Sequence, residues 1–265
     1  MTEPNVDTDK HFVLATDLDG TFLGGSQEDR LSLYRWIEDN RADVGLIFVS
    51  GRDLPFIEQL CDTTPVPWPD FVIGDVGTTI AHVRTESDQD NRRIHPLGDL
   101  ESEIAAKWRD SGDAVRKALA DAPGLSPQET PFRYRMSYHY DPETYDPAAE
   151  AIIRDLGLDV LISDDRFLDV LPKGVSKGPT LKRLIHWLGH DEGRILVAGD
   201  TMNDLSLFET GLKGVAVGNS EPALMAELAD KPHVFRATGH GCAGIYEAIQ
   251  TLDLFPDSGG KKHVV

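Results

Sequence analysis

The chain has 265 residues, 40% of them hydrophobic and 27% charged, with a formal net charge of −19. That length exceeds the usual single domain, so two domains, or one domain carrying a large insertion, are expected, with enough apolar residues for a proper core. The acidic field repels nucleic acid and anionic membrane surfaces, which excludes both as partners, and no apolar run approaches the roughly 20 residues that span a bilayer.

Met1 to Lys10 is polar and acidic and lacks the basic-then-apolar order of a secretory signal, so a cytoplasmic location is expected. The apolar run Val13 to Thr16 reads as a buried parallel strand that ends abruptly in Asp17-Leu18-Asp19-Gly20-Thr21. Residues two apart on a strand face the same way, so Asp17 and Asp19 project together from its carboxyl end, and Gly20 lets the chain turn sharply. Glu28 to Asn40 carries Leu31, Tyr34 and Ile37 at helical spacing, and a second apolar run, Val44 to Val49, ends at Ser50-Gly51-Arg52. Asp53 is placed to cap a helix through Leu60, Pro65 to Pro69 forces an extended loop, and Phe71 to Gly74 is a further strand. This alternation predicts an α/β fold with a doubly wound, parallel, Rossmann-like sheet.

From Arg84 to Pro96 the chain turns polar and loses periodicity, which marks a boundary. Asp99 to Asp121 is helical in pattern with a break at Gly112. Next, Phe132, Tyr134, Met136, Tyr138 and Tyr140 alternate with Arg133, Arg135, Ser137 and His139, which predicts one strand with an aromatic face on helices and an open, basic face. A helix from about Glu143 to Leu156, and a hairpin of Val160 to Ser163 and Phe167 to Val170 around Asp164-Asp165, complete a small α+β insertion. Doubly wound alternation resumes at Leu171. A helix opened by Pro179 leads to the strand Ile195 to Ala198, which runs into Gly199-Asp200-Thr201-Met202-Asn203-Asp204. A helix to Glu209, the strand Gly214 to Val217, a helix from Pro222, the strand Val234-Phe235 and a helix through Ile249 follow. The expected division is a core of residues 11–83 and 171–255, an inserted cap of 84–170, and flexible termini 1–10 and 256–265.

Parallel strands bring their carboxyl ends to one edge, so Asp17 with Asp19, Ser50, Lys177, and Asp200 with Asn203 and Asp204 are expected to converge. A carboxylate pair can divide the hydrolysis of a phosphate ester, one attacking phosphorus and the other moving the proton. In so acidic a chain an attacking carboxylate and a phosphate dianion need concentrated positive charge between them. Asp17 and Asp200 suit one hard divalent cation, Mg²⁺ being the natural choice for an all-oxygen site, and Lys177 adds its ammonium. Ser50, just before a helix, can offer its hydroxyl and nearby backbone N–H groups to a phosphoryl oxygen. Arg52 has two uses open to it, pairing with Asp53 or Glu58 and touching substrate. His186 and His190 are separated by the helix-breaking Gly189 and form no zinc site, and Cys61 and Cys242 read as core thiols. The chain contains no G-x-x-x-x-G-K segment of the kind that cradles a nucleotide.

In this order these segments resemble the haloacid-dehalogenase-like phosphohydrolases. D-L-D-G-T at Asp17 to Thr21, V-S-G-R at Val49 to Arg52, Lys177 in S-K-G and G-D-T-M-N-D at Gly199 to Asp204 are similar to the four motifs of that superfamily. The insertion resembles the α/β cap of its Cof-like branch. D-V-G-T-T-I at Asp75 to Ile80 and S-Y-H at Ser137 to His139, followed by Asp141-Pro142, resemble sucrose-phosphatases, where Thr is common in place of Ser50. The resemblance implies that Asp17 is a nucleophile forming an aspartyl-phosphate and that Asp19 protonates the departing alcohol and then activates water. It also implies that Ser50, Gly51, Arg52, Lys177 and Asn203 hold phosphate or substrate. Mg²⁺ would sit at Asp17, Asp200 and the Asp19 carbonyl, with Asp204 counted in the metal set and, with Asn203, orienting Lys177 or metal-bound water. Arg135 and His139 on the basic cap face are expected to contact the leaving sugar, and sucrose 6-phosphate is the expected substrate. Phosphatases of mannosylfructose phosphate or mannosyl-3-phosphoglycerate, phosphomutases, and an inactive phospho-sugar-binding module are the alternatives. A monomer is expected, with a synthase as a partner to look for.

Overall fold

The computed structural model describes residues 10–85, 92–129 and 132–255; the termini 1–9 and 256–265, read above as flexible, lie outside the described residues. The first half runs β1 (Phe12–Thr16), α1 (Gln27–Asp39), β2 (Val44–Val49), α2 (Leu54–Thr63), β3 (Phe71–Gly74), β4 (Thr79–Thr85) and β5 (Arg92–Pro96). Then come α3 (Gly98–Trp108), α4 (Gly112–Ala118), β6 (Leu125–Pro127), β7 (Met136–Tyr140), α5 (Ala148–Asp155), β8 (Leu158–Ser163) and β9 (Phe167–Pro172). The chain closes with α6 (Lys177–Leu188), β10 (Ile195–Gly199), α7 (Leu205–Phe208), β11 (Lys213–Ala216), α8 (Pro222–Glu227), β12 (Val234–Arg236) and α9 (Cys242–Thr251). Among the described residues no helix is long and apolar enough to cross a membrane.

Two sheets organise these elements. The larger has eight strands in the order β12-β11-β10-β1-β2-β3-β4-β5, parallel from β12 to β3 and antiparallel at β4 and β5. Its strands alternate between two cores. Phe12 and Leu14 pack with α1, α2 and α9, whereas Val13 and Ala15 pack with α6, α7 and α8 on the opposite face. A sheet covered on both faces needs near-continuous apolar strands, which is why β1, β2 and β10 are so plain in the sequence. The strand order reverses between β1 and β10, and that switch point opens a crevice outside their carboxyl ends.

The smaller sheet is antiparallel, β6-β7-β9-β8, and packs Met136, Tyr138, Leu168 and Val170 against Trp108, Val115 and Ile153 from α3, α4 and α5. The aromatic face of the predicted strand is therefore buried on helices, as expected. Two expectations are revised. The strand covers only Met136–Tyr140, and Phe132 to Arg135 approach it outside the ladder. Residues 92–96, assigned to the insertion, form β5 at the edge of the larger sheet, paired with β4. Helix α3 then spans both units, with Ile104 in the larger core and Trp108 in the smaller one. The helical stretch breaks at Arg109 and Asp110, both left-handed (φ 51° and 55°), just before α4 begins at Gly112.

One turn fixes how α6 meets the larger sheet. The turn 75–77 follows β3, and Thr180 of α6 donates its hydroxyl to the Gly77 carbonyl at 2.7 Å. Gly77 has φ +99°, and a Cβ there would lie 2.3 Å from the Ser176 carbonyl carbon and 2.7 Å from the Lys177 nitrogen. Gly77→Ala should therefore lower stability by roughly 2 kcal/mol or more, a fall of roughly 4–8 °C in Tm by thermal melting. A variant melting within a degree of the parent would show that this approach is not tight.

Candidate active site

The crevice at the switch point gathers the sequence-predicted residues from four elements. Asp17 leaves β1 with its N–H on the Ala198 carbonyl of β10 (2.9 Å), so the two strand ends that carry acidic residues are held side by side. Asp200 follows β10, Ser50 follows β2, and Lys177 is the first residue of α6. Gly20 (φ +78°) turns the chain directly over Asp200, and a Cβ there would lie 2.1 Å from the Asp200 Oδ2. Only glycine lets the backbone come this close.

Lys177 is the electrostatic centre. Its fully buried Nζ donates to Asp17 Oδ1 (2.7 Å), Asn203 Oδ1 (2.8 Å) and Asp204 Oδ1 (2.7 Å), which uses all three ammonium protons. Burial pulls its pKa down, but the charges of Asp17 and Asp204 outweigh that and hold it above the ordinary lysine value. Burial pushes the Asp17 carboxyl well above the usual aspartate range, against the pull of Lys177 and with the push of Asp204 and Asp200. Asp200 is pushed up to about 7 by burial and by Asp204. One ammonium thus faces three buried carboxylates, whose oxygens lie within 4.8 Å of one another.

The donor set fits a hard divalent cation, since every ligand atom is an oxygen and the cluster carries more negative charge than Lys177 compensates. The three acids are not equivalent. Asp204 gives Oδ1 to Lys177, while its Oδ2 accepts the N–H groups of Asp200 (3.0 Å) and Thr201 (3.1 Å). It therefore orients the ammonium and caps the turn, which leaves Asp17 and Asp200 as the side chains open to a cation. Thr21 steadies Asp200 by donating to its Oδ1 at 2.7 Å, and Asn219 donates to Oδ2 at 3.3 Å.

Asp19 and Arg52 sit at the mouth. Arg52 grips both Asp19 oxygens, Nε to Oδ2 at 2.8 Å and Nη2 to Oδ1 at 3.0 Å, with its guanidinium over the Phe56 ring. The partners considered from sequence are engaged elsewhere: Asp53 caps α2 through the Phe56 N–H, and Glu58 pairs with Arg93 and the Ile94 N–H. Ser50 is buried, accepts the Arg52 N–H on its Oγ at 3.2 Å, and lies with Lys177 behind the wall of the cleft.

The cleft between the two sheets has a volume of about 580 Å³. Asp17, Asp19, Gly51, Arg52, Val76, Asp200 and Asn203 line the larger sheet's side; Gln128, Arg135, Ser163, Asp164, Arg166, Phe167 and Asp169 line the other. Of the two cap residues expected at the substrate, Arg135 lines this cleft, but His139 does not: it is exposed, opposite Ser126 and Phe167. Sequence reasoning missed the hairpin tip. Asp164 and Asp165 are both left-handed (φ 55° and 45°) in the turn that the Arg166 N–H closes on the Ser163 carbonyl (3.2 Å), and this turn carries Ser163, Arg166 and Phe167 to the cleft. The predicted turn itself was the available signal.

Comparison with known proteins agrees with this geometry. The profile of the family described as sucrose-6F-phosphate phosphohydrolase matches residues 10–253. A glucosylglycerol-phosphate synthase of Pseudomonas anguilliseptica is 42% identical over 238 residues, 89% of this chain, although the chain spans only 30% of that protein. A mannosylfructose-phosphate phosphatase of Agrobacterium fabrum is 31% identical, with 92% of this chain and 98% of that protein aligned. The sucrose-phosphatase of Synechocystis sp., solved with sucrose and phosphate, superposes with a TM-score of 0.80 at 25% identity, covering 92% of this chain and 98% of that one. The chain belongs to the sucrose-6F-phosphate phosphohydrolase family, within the haloacid-dehalogenase superfamily.

Proposed function

We propose that the chain is a Mg²⁺-dependent phosphatase that hydrolyses the phosphate monoester of a glycoside through an aspartyl-phosphate. The observation that carries this reading is the buried Lys177, bonded at once to Asp17 and Asp204 beside Asp200, behind the wall of a polar cleft large enough for a phosphorylated glycoside. Asp17 attacks phosphorus, a P–O bond forms to its carboxylate, and the ester P–O bond breaks. Asp19 gives its proton to the departing oxygen, then takes one from the water that cleaves the acyl phosphate. Because both Asp19 oxygens are held by Arg52, the guanidinium must release them when substrate enters, and a phosphoryl oxygen is the natural exchange partner. The Ser50–Arg52 loop holds the phosphoryl group, and Lys177, its three protons on Asp17, Asn203 and Asp204, stabilises it through its charge. Asp17, Asp200 and the Asp19 carbonyl would hold Mg²⁺, which supplies charge neutralisation between nucleophile and phosphate.

As substrate we favour glucosylglycerol phosphate, with glucosylglycerol as the leaving alcohol, because the 42% identity covers nearly the whole chain and lies in a protein named as its synthase. Sucrose 6-phosphate is the second reading, favoured by the family profile and the Synechocystis structure. A glycosyltransferase that makes the phosphate ester would supply the substrate, and the reading carries with it a cytoplasmic, monomeric enzyme. A screen of phosphate release should give a kcat/KM for glucosylglycerol phosphate at least about tenfold above those for sucrose 6-phosphate and mannosylfructose phosphate. The reverse order would move the chain to the sucrose branch, and release from none of them would remove the phosphatase reading.

The cation has its own test. A carboxyl whose pKa is raised on folding binds more protons folded than unfolded, so without metal Asp200 removes stability as pH rises from the ordinary aspartate range through about 7. A bound divalent cation reverses that loss. The rise in Tm on adding Mg²⁺ to chelator-treated protein should thus be small at about pH 5 and several degrees at about pH 8. Equal melting with and without Mg²⁺ at the higher pH would contradict a site at Asp17 and Asp200.

A further inference from the structure

Arg135 is 5% exposed and belongs to neither sheet alone. Its Nη1 donates to Asp169 of β9 at 2.7 Å, and Ser137 of β7 donates its hydroxyl to the same oxygen. Its Nη2 crosses to the larger sheet, donating to the Gly51 carbonyl at 3.0 Å and to Asp75 Oδ1 at 3.4 Å. The Phe132 ring covers the guanidinium at 3.6 Å. Both Nη groups are therefore bonded to protein, and Nε is sealed from solvent without a partner. Three of its five N–H bonds are thus given to protein acceptors, both of those on Nη2 among them, so the side chain is anchored chiefly to the protein.

The carbonyl that Arg135 holds is that of the residue after Ser50. The same loop is held from the other side by the turn after β3, where the Val76 N–H donates to the Ser50 carbonyl (3.1 Å) and the Asp75 N–H to the Arg52 carbonyl (3.0 Å). Asp75 and Val76 are left-handed (φ 52° and 58°), a conformation that a β-branched residue adopts only when its surroundings enforce it. What enforces it includes the Asp75 side chain: Oδ1 meets Arg135 and Oδ2 accepts the Thr79 hydroxyl at 2.7 Å. Thr79 in turn accepts from Arg133, whose fork closes on the buried Glu101 at 2.7 and 2.9 Å.

We propose that Arg135 and Asp75 are positioning residues for the phosphate-binding loop Ser50–Arg52, and that through them the seating of the smaller sheet over the cleft sets the register of that loop against Asp17. This rests on the phosphatase reading for its chemistry, but not for its test. Pulled by Arg135 and Asp75, the loop presents the Ser50 hydroxyl and its backbone N–H groups at a fixed distance from the nucleophile. Released, it presents the same donors loosely, so affinity for the phosphoryl group falls whatever alcohol is attached.

Arg135→Gln, Arg135→Lys, Asp75→Asn and the Arg135→Gln/Asp75→Asn double variant test this by calorimetric binding of inorganic phosphate in Mg²⁺, with KM and kcat for p-nitrophenyl phosphate and glucosylglycerol phosphate alongside. Arg135→Gln and Asp75→Asn should each weaken phosphate binding about tenfold and raise KM for both esters in the same proportion. The double variant should be no worse than about twofold beyond either single, because both act on one loop, and Arg135→Lys should recover part of the loss. If either Arg135 variant proves unfolded, Asp169→Asn, which keeps the shape of the anchor on β9, should weaken phosphate binding by about threefold. Loss confined to the glycoside ester with unchanged phosphate binding would overturn the proposal by making Arg135 a leaving-group contact. A lower Tm with unchanged phosphate binding would overturn it by making the network a structural clasp. If the parent binds phosphate but turns over no ester, the phosphatase reading fails while the phosphate titrations still decide the positioning role.

Discussion

A buried ammonium surrounded by carboxylates is the constraint on which the rest of this structure depends. Lys177 is 0% exposed, and a charge so placed is tolerated only when every proton it carries has a partner. Removing one member of such a buried pair typically costs about 3–5 kcal/mol, so the strand ends that supply Asp17 and Asp204 and the helix that supplies Lys177 cannot drift independently. The pairing of β1 with β10, the close pass of the 75–77 turn against Ser176, and the turn capped by Asp204 each serve that geometry. The cluster remains short of positive charge, with three buried carboxylates around one ammonium.

The second sheet completes the site with polar groups of a different kind. Its side of the cleft carries Gln128, Ser163, Asp164, Arg166 and Asp169, groups that hydrogen-bond hydroxyls, while the carboxylates of Asp17, Asp19 and Asp200 line the larger sheet's side. Relatives named for glucosylglycerol phosphate, mannosylfructose phosphate and sucrose are 42%, 31% and 30% identical to this chain.

The core was readable because its strands are buried on both faces and must be apolar throughout, so β1, β2, β3 and β10 announce themselves and their carboxyl ends can be placed together before any coordinates exist. Asp17, Asp19, Asp200 and Lys177 follow from that placement. The antiparallel edge was not readable: β4 turns exposed and polar toward Thr85, β5 is short and arginine-rich, and β6 has only three residues, too few for a period to show. Long-range ion pairs were invisible for another reason. Arg52 meets Asp19 across 33 positions and Arg135 meets Asp75 across 60, and nothing in the local pattern of either arginine distinguishes these partners from nearer acids. Long-range pairs also account for Phe132 to Arg135 leaving the ladder despite their alternation: Arg133 closes on Glu101 of α3, and Arg135 bridges Asp169 of β9 and Asp75 of the turn after β3.

Rapid acid quenching of the enzyme during turnover of a ³²P-labelled ester, followed by peptide mapping, tests the central assignment most directly. The account predicts an acid-stable, base-labile phosphoryl group on the peptide that carries Asp17, chased by unlabelled substrate and absent from Asp17→Asn protein. Turnover with no trapped label, or with label on any other residue, would contradict it.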